Sequence, residues 1–138
     1  MIERKGDLFA KNVEGYSPGL DAPPWIVIPT NGERRSNGEA VMGAGVAKVA
    51  VEHFSGIAKV LGQKLRQRGN EVHYLGIYNL PGALVTDRQE HGFTRVVVSF
   101  PTKHSWKALS DTALIEKSAR ELASLVCEFG GDPIVLLP

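Results

Sequence analysis

Residues 25–50 read WIVIPTNGERRSNGEAVMGAGVAKVA, and the change of texture along this stretch decides the fold. Trp25 to Ile28 is a short apolar run rich in β-branched residues, entered from Pro23-Pro24 and stopped by Pro29, as a buried central strand requires. A polar, glycine-punctuated loop follows and ends in Gly43-Ala44-Gly45. From Val46, apolar residues then recur at Val49, Ala50, His53 and Phe54, a helical spacing that breaks at Ser55-Gly56. Strand, glycine loop and helix in this order form a site for phosphates and sugar hydroxyls. Glycines let the backbone approach an anion, and the free N–H groups and positive dipole end of the helix favour negative charge there.

Working outward, a second helix carries Ile57, Val60, Leu61 and Leu65 inward and ends at Gly69-Asn70. Val72 to Tyr78 and Arg95 to Phe100 read as strands, with Tyr74 and Tyr78 on the sheet faces or in the core. The turn-rich stretch between them has room for a short strand near Leu84 and Val85. Ser110 or Asp111 caps a longer helix whose inner face is Ile115, Ala119, Leu122 and Val126, stopped by Gly130-Gly131. Ile134 to Leu137 is a final buried strand. Strands interleaved with helices imply an α/β fold with a mostly parallel central sheet and helices on both faces.

The chain of 138 residues, 43% hydrophobic and 22% charged, fits a single domain over residues 1–138 with its own core. No stretch is apolar for long enough to span a bilayer, and MIERKGDLF is not a signal peptide, so a cytoplasmic protein without membrane contact is expected. Cys127, the only cysteine, excludes a disulfide scaffold and cysteine-rich zinc sites and reads as a small buried hydrophobe. His53, His73, His91 and His104 lack metal-site spacing, and there is no Gly-x-Ser-x-Gly elbow, so neither metal nor cofactor is called for. A formal charge of +1 argues against a broad grip on nucleic acid, although patches at Arg34 and Arg35 or at Lys64 to Arg68 could touch phosphates.

Two better-known phosphate loops fail the test. Gly38 and Gly43 have Walker A spacing, but Ala44-Gly45 stands where lysine and a hydroxyl residue are needed. A dinucleotide fingerprint needs a small residue where Lys48 stands, and a glycine loop directly after the strand. The alternative that these glycines only close a tight turn stays open on the residues alone.

Four segments together resemble the macro domain: Gly6-Asp7-Leu8-Phe9, Ile28-Pro29-Thr30-Asn31, Val41-Met42-Gly43-Ala44-Gly45-Val46-Ala47 and Phe100-Pro101-Thr102-Lys103. They occur in register with the strands and helices, over nearly the whole chain. The resemblance implies a three-layer α/β fold with a mixed, mostly parallel sheet, and an ADP-ribose cleft at the carboxyl ends of its strands. Phe-Pro-Thr-Lys, with Trp106 and a Ser-initiated helix after it, looks most like the lysine-dependent branch that contains the DNA ADP-ribosyl glycohydrolase antitoxins. The loop from Asn31 to Ala40 is similar to small stand-alone macro proteins of bacteria and phages.

By that resemblance, Asp7 accepts from the adenine amino group with the Leu8 backbone beside it, Asn31 bonds the hydroxyls of the distal ribose, and Thr30 is a further ligand-binding residue. Gly43, Ala44, Gly45 and Val46 give N–H groups to the diphosphate and distal ribose, with Met42 packed beneath. The residues alone also allow a turn aspartate after Gly6 and an ordinary Asn31-Gly32 turn. Lys103, at the carboxyl end of a central strand, is implied to be catalytic, as a nucleophile at the anomeric carbon or as a charge that stabilises the leaving group. Trp106 is expected to pack beside the cleft. The implied activity is hydrolytic release of ADP-ribose from a modified macromolecule, protein or DNA, by a monomer. A non-catalytic ADP-ribose reader and an ADP-ribose 1''-phosphate phosphatase are the alternatives. In macro domains a strand like Ile134 to Leu137 leads into a second glycine-rich loop that often bears an acidic partner of the lysine. The sequence stops at Pro138, so a longer protein is expected, and none of Asp87, Asp111 or Asp132 is assigned that role.

Overall fold

Alternating apolar side chains sort themselves onto two faces of one sheet. The structure, a computed structural model, describes residues 2–5, 7–18, 21–86 and 93–138; Gly6, Asp87 and His91 lie outside these. In chain order the elements are β1 (Ile2–Lys5), β2 (Trp25–Thr30), α1 (Gly45–His53), α2 (Ile57–Arg68), β3 (His73–Asn79), β4 (Thr94–Pro101), α3 (Thr112–Phe129) and β5 (Ile134–Leu137). The strands form a five-stranded sheet in the order β1-β5-β2-β4-β3. All neighbours are parallel except β3, which runs antiparallel to β4. The mixed, mostly parallel sheet expected from the sequence is therefore present.

Period-two alternation gives each face its own core. Ile26, Ile28, Val97 and Leu136 point to one side, where Ala50 and Phe54 of the α1 segment and Ile57, Leu61 and Leu65 of α2 cover them. Trp25, Val27, Val96, Val98 and Val135 point to the other side, against Leu122 and Val126 of α3. Each such large aliphatic side chain removed from water contributes on the order of 1.5–3 kcal/mol. A shift in pairing between Tyr74 and Gly76 marks a bulge in β3, and Gly76 sits there at φ +131°, where a side chain is strained.

Several expectations need correction. In α3 the buried residues are Leu114, Ser118, Leu122 and Val126, so the face is turned by one residue at its start. Ile115 is half-buried and Ala119 exposed. Ser118 replaces the expected apolar contact with a bond from its Oγ to the Pro101 carbonyl, 2.7 Å. Cys127 is exposed rather than buried. His53, expected inward, is exposed and stacks on Phe9 at 4.6 Å between ring centroids. The short strand near Leu84 is reduced to one antiparallel bridge between Tyr78 and Leu84.

Arg95, fully buried at the start of β4, holds the chain between β1 and β2 in place. Its Nη2 donates to the carbonyls of Ala10 (3.1 Å) and Lys11 (2.8 Å), and Nη1 to that of Thr94 at 2.7 Å. Burial pulls this guanidinium below its ordinary pKa. Among the described residues, no helix is long and apolar enough to cross a membrane.

Candidate functional site

Because β1, β5, β2 and β4 are parallel neighbours, their carboxyl ends share one edge of the sheet. That edge gathers Asp7 and Leu8 after β1, Asn31 after β2 and Lys103 after β4. In open α/β sheets this is where ligands bind.

Two loops at this edge are stitched together. Thr102 N–H donates to the Thr30 carbonyl at 3.0 Å, and Gly32 N–H to the His104 carbonyl at 3.2 Å. Asn70, after α2, adds a third tie through Nδ2 to the Lys103 carbonyl, 3.2 Å. The Asn70 amide fills the space beside Gly32, where a Cβ would lie 2.9 Å from its Cγ, so a side chain there would displace this amide. The sequence marked Gly69-Asn70 only as a helix end. Nothing local in it reveals a bond to a residue so far along the chain.

Asn31 is buried and its amide is engaged by its own loop. Nδ2 donates to the Val41 carbonyl at 3.1 Å, while Oδ1 accepts from Glu33 N–H at 2.9 Å. It closes the base of the long loop, and only the remaining donor and lone pair are left for a ribose. Thr30 is buried in the strand end. Asp7 is exposed and makes an Asx turn, with Oδ1 accepting from Phe9 N–H at 3.0 Å. Leu8 is buried in the same core as Met42, whose place beneath the glycine loop was expected.

Gly43, Ala44 and Gly45 are exposed and Val46 half-buried. Ala44 is the N-cap of α1 and supplies no side-chain hydrogen bond; no acidic residue lies in the first turn. Gly45 has φ +59°, a left-handed conformation suited to glycine, with open space where a Cβ would sit. The mouth of α1 is thus exposed, and its N-cap offers the first N–H groups no side-chain acceptor.

Lys103 is half-buried, and its Nζ donates to the Trp106 carbonyl at 3.4 Å. Trp106, expected to pack beside the cleft, is 54% exposed, and Lys107 Nζ sits 5.1 Å from its ring centroid. Beside Lys103, His104 Nε2 meets Asp111 Oδ2 at 2.9 Å. Asp111 Oδ1 caps α3 by accepting from Ala113 N–H (3.0 Å) and Leu114 N–H (3.2 Å). The hydrogen bond from His104, followed by that from Leu114, holds this carboxyl below its ordinary pKa.

No family model and no curated protein matches the chain. Solved structures do. The macrodomain of Thermus aquaticus DarG is similar at a TM-score of 0.57 and 22% identity, over 98% of this chain and 74% of that one. Thermosipho africanus DarTG in complex with ADP-ribose is similar at a TM-score of 0.61 and 20% identity, over 98% of this chain and 32% of that one. This chain has the macrodomain fold. Within that fold, the carboxyl edge of the sheet, the uncapped mouth of α1 and Lys103 make up the candidate site. Two hollows lie elsewhere on the molecule. One of about 380 Å³ runs between α2 and α3, with Lys64, Arg68, Lys117 and Arg120 on its walls. The other, about 440 Å³, lies between Phe9, His53 and Phe93, by the start of β4.

Proposed function

We propose that this macrodomain binds ADP-ribose along the carboxyl edge of its sheet and releases it by hydrolysis from a modified macromolecule. The observation that carries the reading is the convergence, on one edge, of an uncapped glycine mouth, an amide-bearing strand end and a half-buried lysine. The likeness to a DarTG solved with ADP-ribose supports the choice of ligand. Each part matches one part of ADP-ribose. The N–H groups at Gly43 to Val46 suit the diphosphate. The spare donor and lone pair of Asn31 suit ribose hydroxyls, and the exposed Asp7 carboxylate suits an exocyclic amine of the base.

Lys103 then acts at the bond between the distal anomeric carbon and the modified group. Water adds its hydroxyl to that carbon, and the released macromolecule takes the proton. The lysine leaves its contact with the Trp106 carbonyl and assists, as nucleophile or as stabilising cation. The test pairs calorimetry with a release assay on ADP-ribosylated single-stranded DNA and protein. Lys103→Ala is expected to bind ADP-ribose as the wild type does and to release none. Unchanged turnover in that variant would exclude the mechanism, and binding without release by the wild type would leave a reader module. Release of phosphate from ADP-ribose 1''-phosphate, with no action on the macromolecules, would replace the hydrolase by a phosphatase.

A further inference from the structure

The loop between β2 and α1 is not slack chain. Its arms pair at Arg34 and Ala40, Arg35 N–H donates to the Glu39 carbonyl at 2.7 Å, and Gly38 N–H to the Arg35 carbonyl at 2.9 Å. Asn31 and the bond from Val41 N–H to the Glu33 carbonyl, 3.0 Å, close its base. Its far arm is docked on α2 through Ala40 N–H to the Ala58 carbonyl at 2.9 Å. There it passes so close that a Cβ on Gly62 would fall 2.0 Å from the Gly38 oxygen. The hairpin is thereby held at its base and along one side.

What this hairpin presents is Arg35, an exposed side chain. Its Nη2 reaches Gly43, lying 3.9 Å from where a Cβ on that glycine would stand. Among the described residues no carboxylate pairs with it. A guanidinium beside the positive end of an uncapped helix gains nothing from its neighbours, since both repel the same sign of charge. Water can solvate both, but an anion lodged between them would gain from the guanidinium and the helix mouth at once.

We propose that Arg35 binds the diphosphate of ADP-ribose, its fork closing over oxygens that the Gly43 to Val46 amides hold from the other side. This rests on the ADP-ribose reading above and assigns a ligand contact that reading does not contain. A guanidinium fits because its planar donors engage two phosphate oxygens at once, which an ammonium cannot reproduce.

The experiment titrates wild type, Arg35→Gln and Arg35→Lys with ADP-ribose by calorimetry at several salt concentrations, with thermal unfolding of each free protein as the folding control. Arg35→Gln is expected to weaken binding by about tenfold or more and to flatten its salt dependence, because a charge-assisted contact is lost. Arg35→Lys should recover only part of the affinity. The free variants should melt at or slightly above the wild-type temperature, since a cation has been withdrawn from a helix N-terminus. Equal or tighter binding by Arg35→Gln would overturn the assignment while leaving the ADP-ribose reading intact. A wild type that gives no heat and no thermal shift with ADP-ribose would overturn both.

Discussion

Two helices begin at the carboxyl edge of this sheet, and they begin differently. At α3, Asp111 accepts from the Ala113 and Leu114 N–H groups, and its other oxygen meets His104. At α1, Ala44 offers no side-chain acceptor, glycines flank it, and a guanidinium stands by. Unpaired N–H groups at a helix start are satisfied by side chains, water or a ligand. One mouth is closed by the protein for stability. The other is left open, which costs stability and suits an anion that comes and goes.

The most direct way to break the contrast is to close the open mouth. Ala44→Asp puts a good N-cap at α1 and should raise the melting temperature of the free protein. The same carboxylate faces an incoming diphosphate, so calorimetry should record ADP-ribose affinity lower by on the order of a hundredfold. Higher stability together with undiminished affinity would mean that the ligand does not use this mouth.

Gly62→Ala tests whether α2 fixes the hairpin that borders the open mouth. The added methyl meets the Gly38 oxygen and must push the hairpin away. Overpacking of this kind costs about 1–3 kcal/mol, readable by urea unfolding, and ADP-ribose affinity should fall with it. Stability lost without any change in affinity would separate the hairpin from the site.

At the closed mouth, Asp111→Asn should lower the melting temperature at neutral pH by about 2–4 °C and leave ADP-ribose affinity unchanged. Its pH dependence has a definite sign. The Asp111 carboxyl is held below its ordinary pKa, so its contribution is present above the unfolded-chain value and disappears as pH falls through the lower folded one. Melting curves of wild type and variant should therefore differ near neutrality and converge in acid. The smallest effect is expected at Trp106→Ala. The indole is 54% exposed, and it is the backbone carbonyl that holds Lys103, so unfolding free energy should stay within about 0.5 kcal/mol of wild type.

Legibility in the sequence followed the range of the interactions involved. The strands at Trp25 and Arg95, the breaks at Gly56 and Gly69 and the cap at Asp111 were readable, because each depends on alternation, glycine or a local acceptor. β1 was missed. Its four residues, IERK, have no alternation that marks a strand, and they are one through parallel pairing with β5 at the far end of the chain. Ser118 carries no local sign of facing inward, because a hydroxyl reads as polar until the Pro101 carbonyl is beside it. Asn31 was read toward a ribose, whereas its amide also closes the loop from Glu33 to Val41.

By itself, then, the sequence determined an α/β chain with a glycine-rich helix mouth, because periodicity, turn chemistry and backbone freedom are written in neighbouring residues. Tertiary structure alone decided which side chains meet. The parallel order β1-β5-β2-β4 aligns the strand ends, Asn70 ties the Lys103 loop, and Gly62 lets the hairpin bring Arg35 to Gly43. Those contacts join residues distant in the chain, and no local pattern of charge or hydrophobicity specifies them before the sheet assembles.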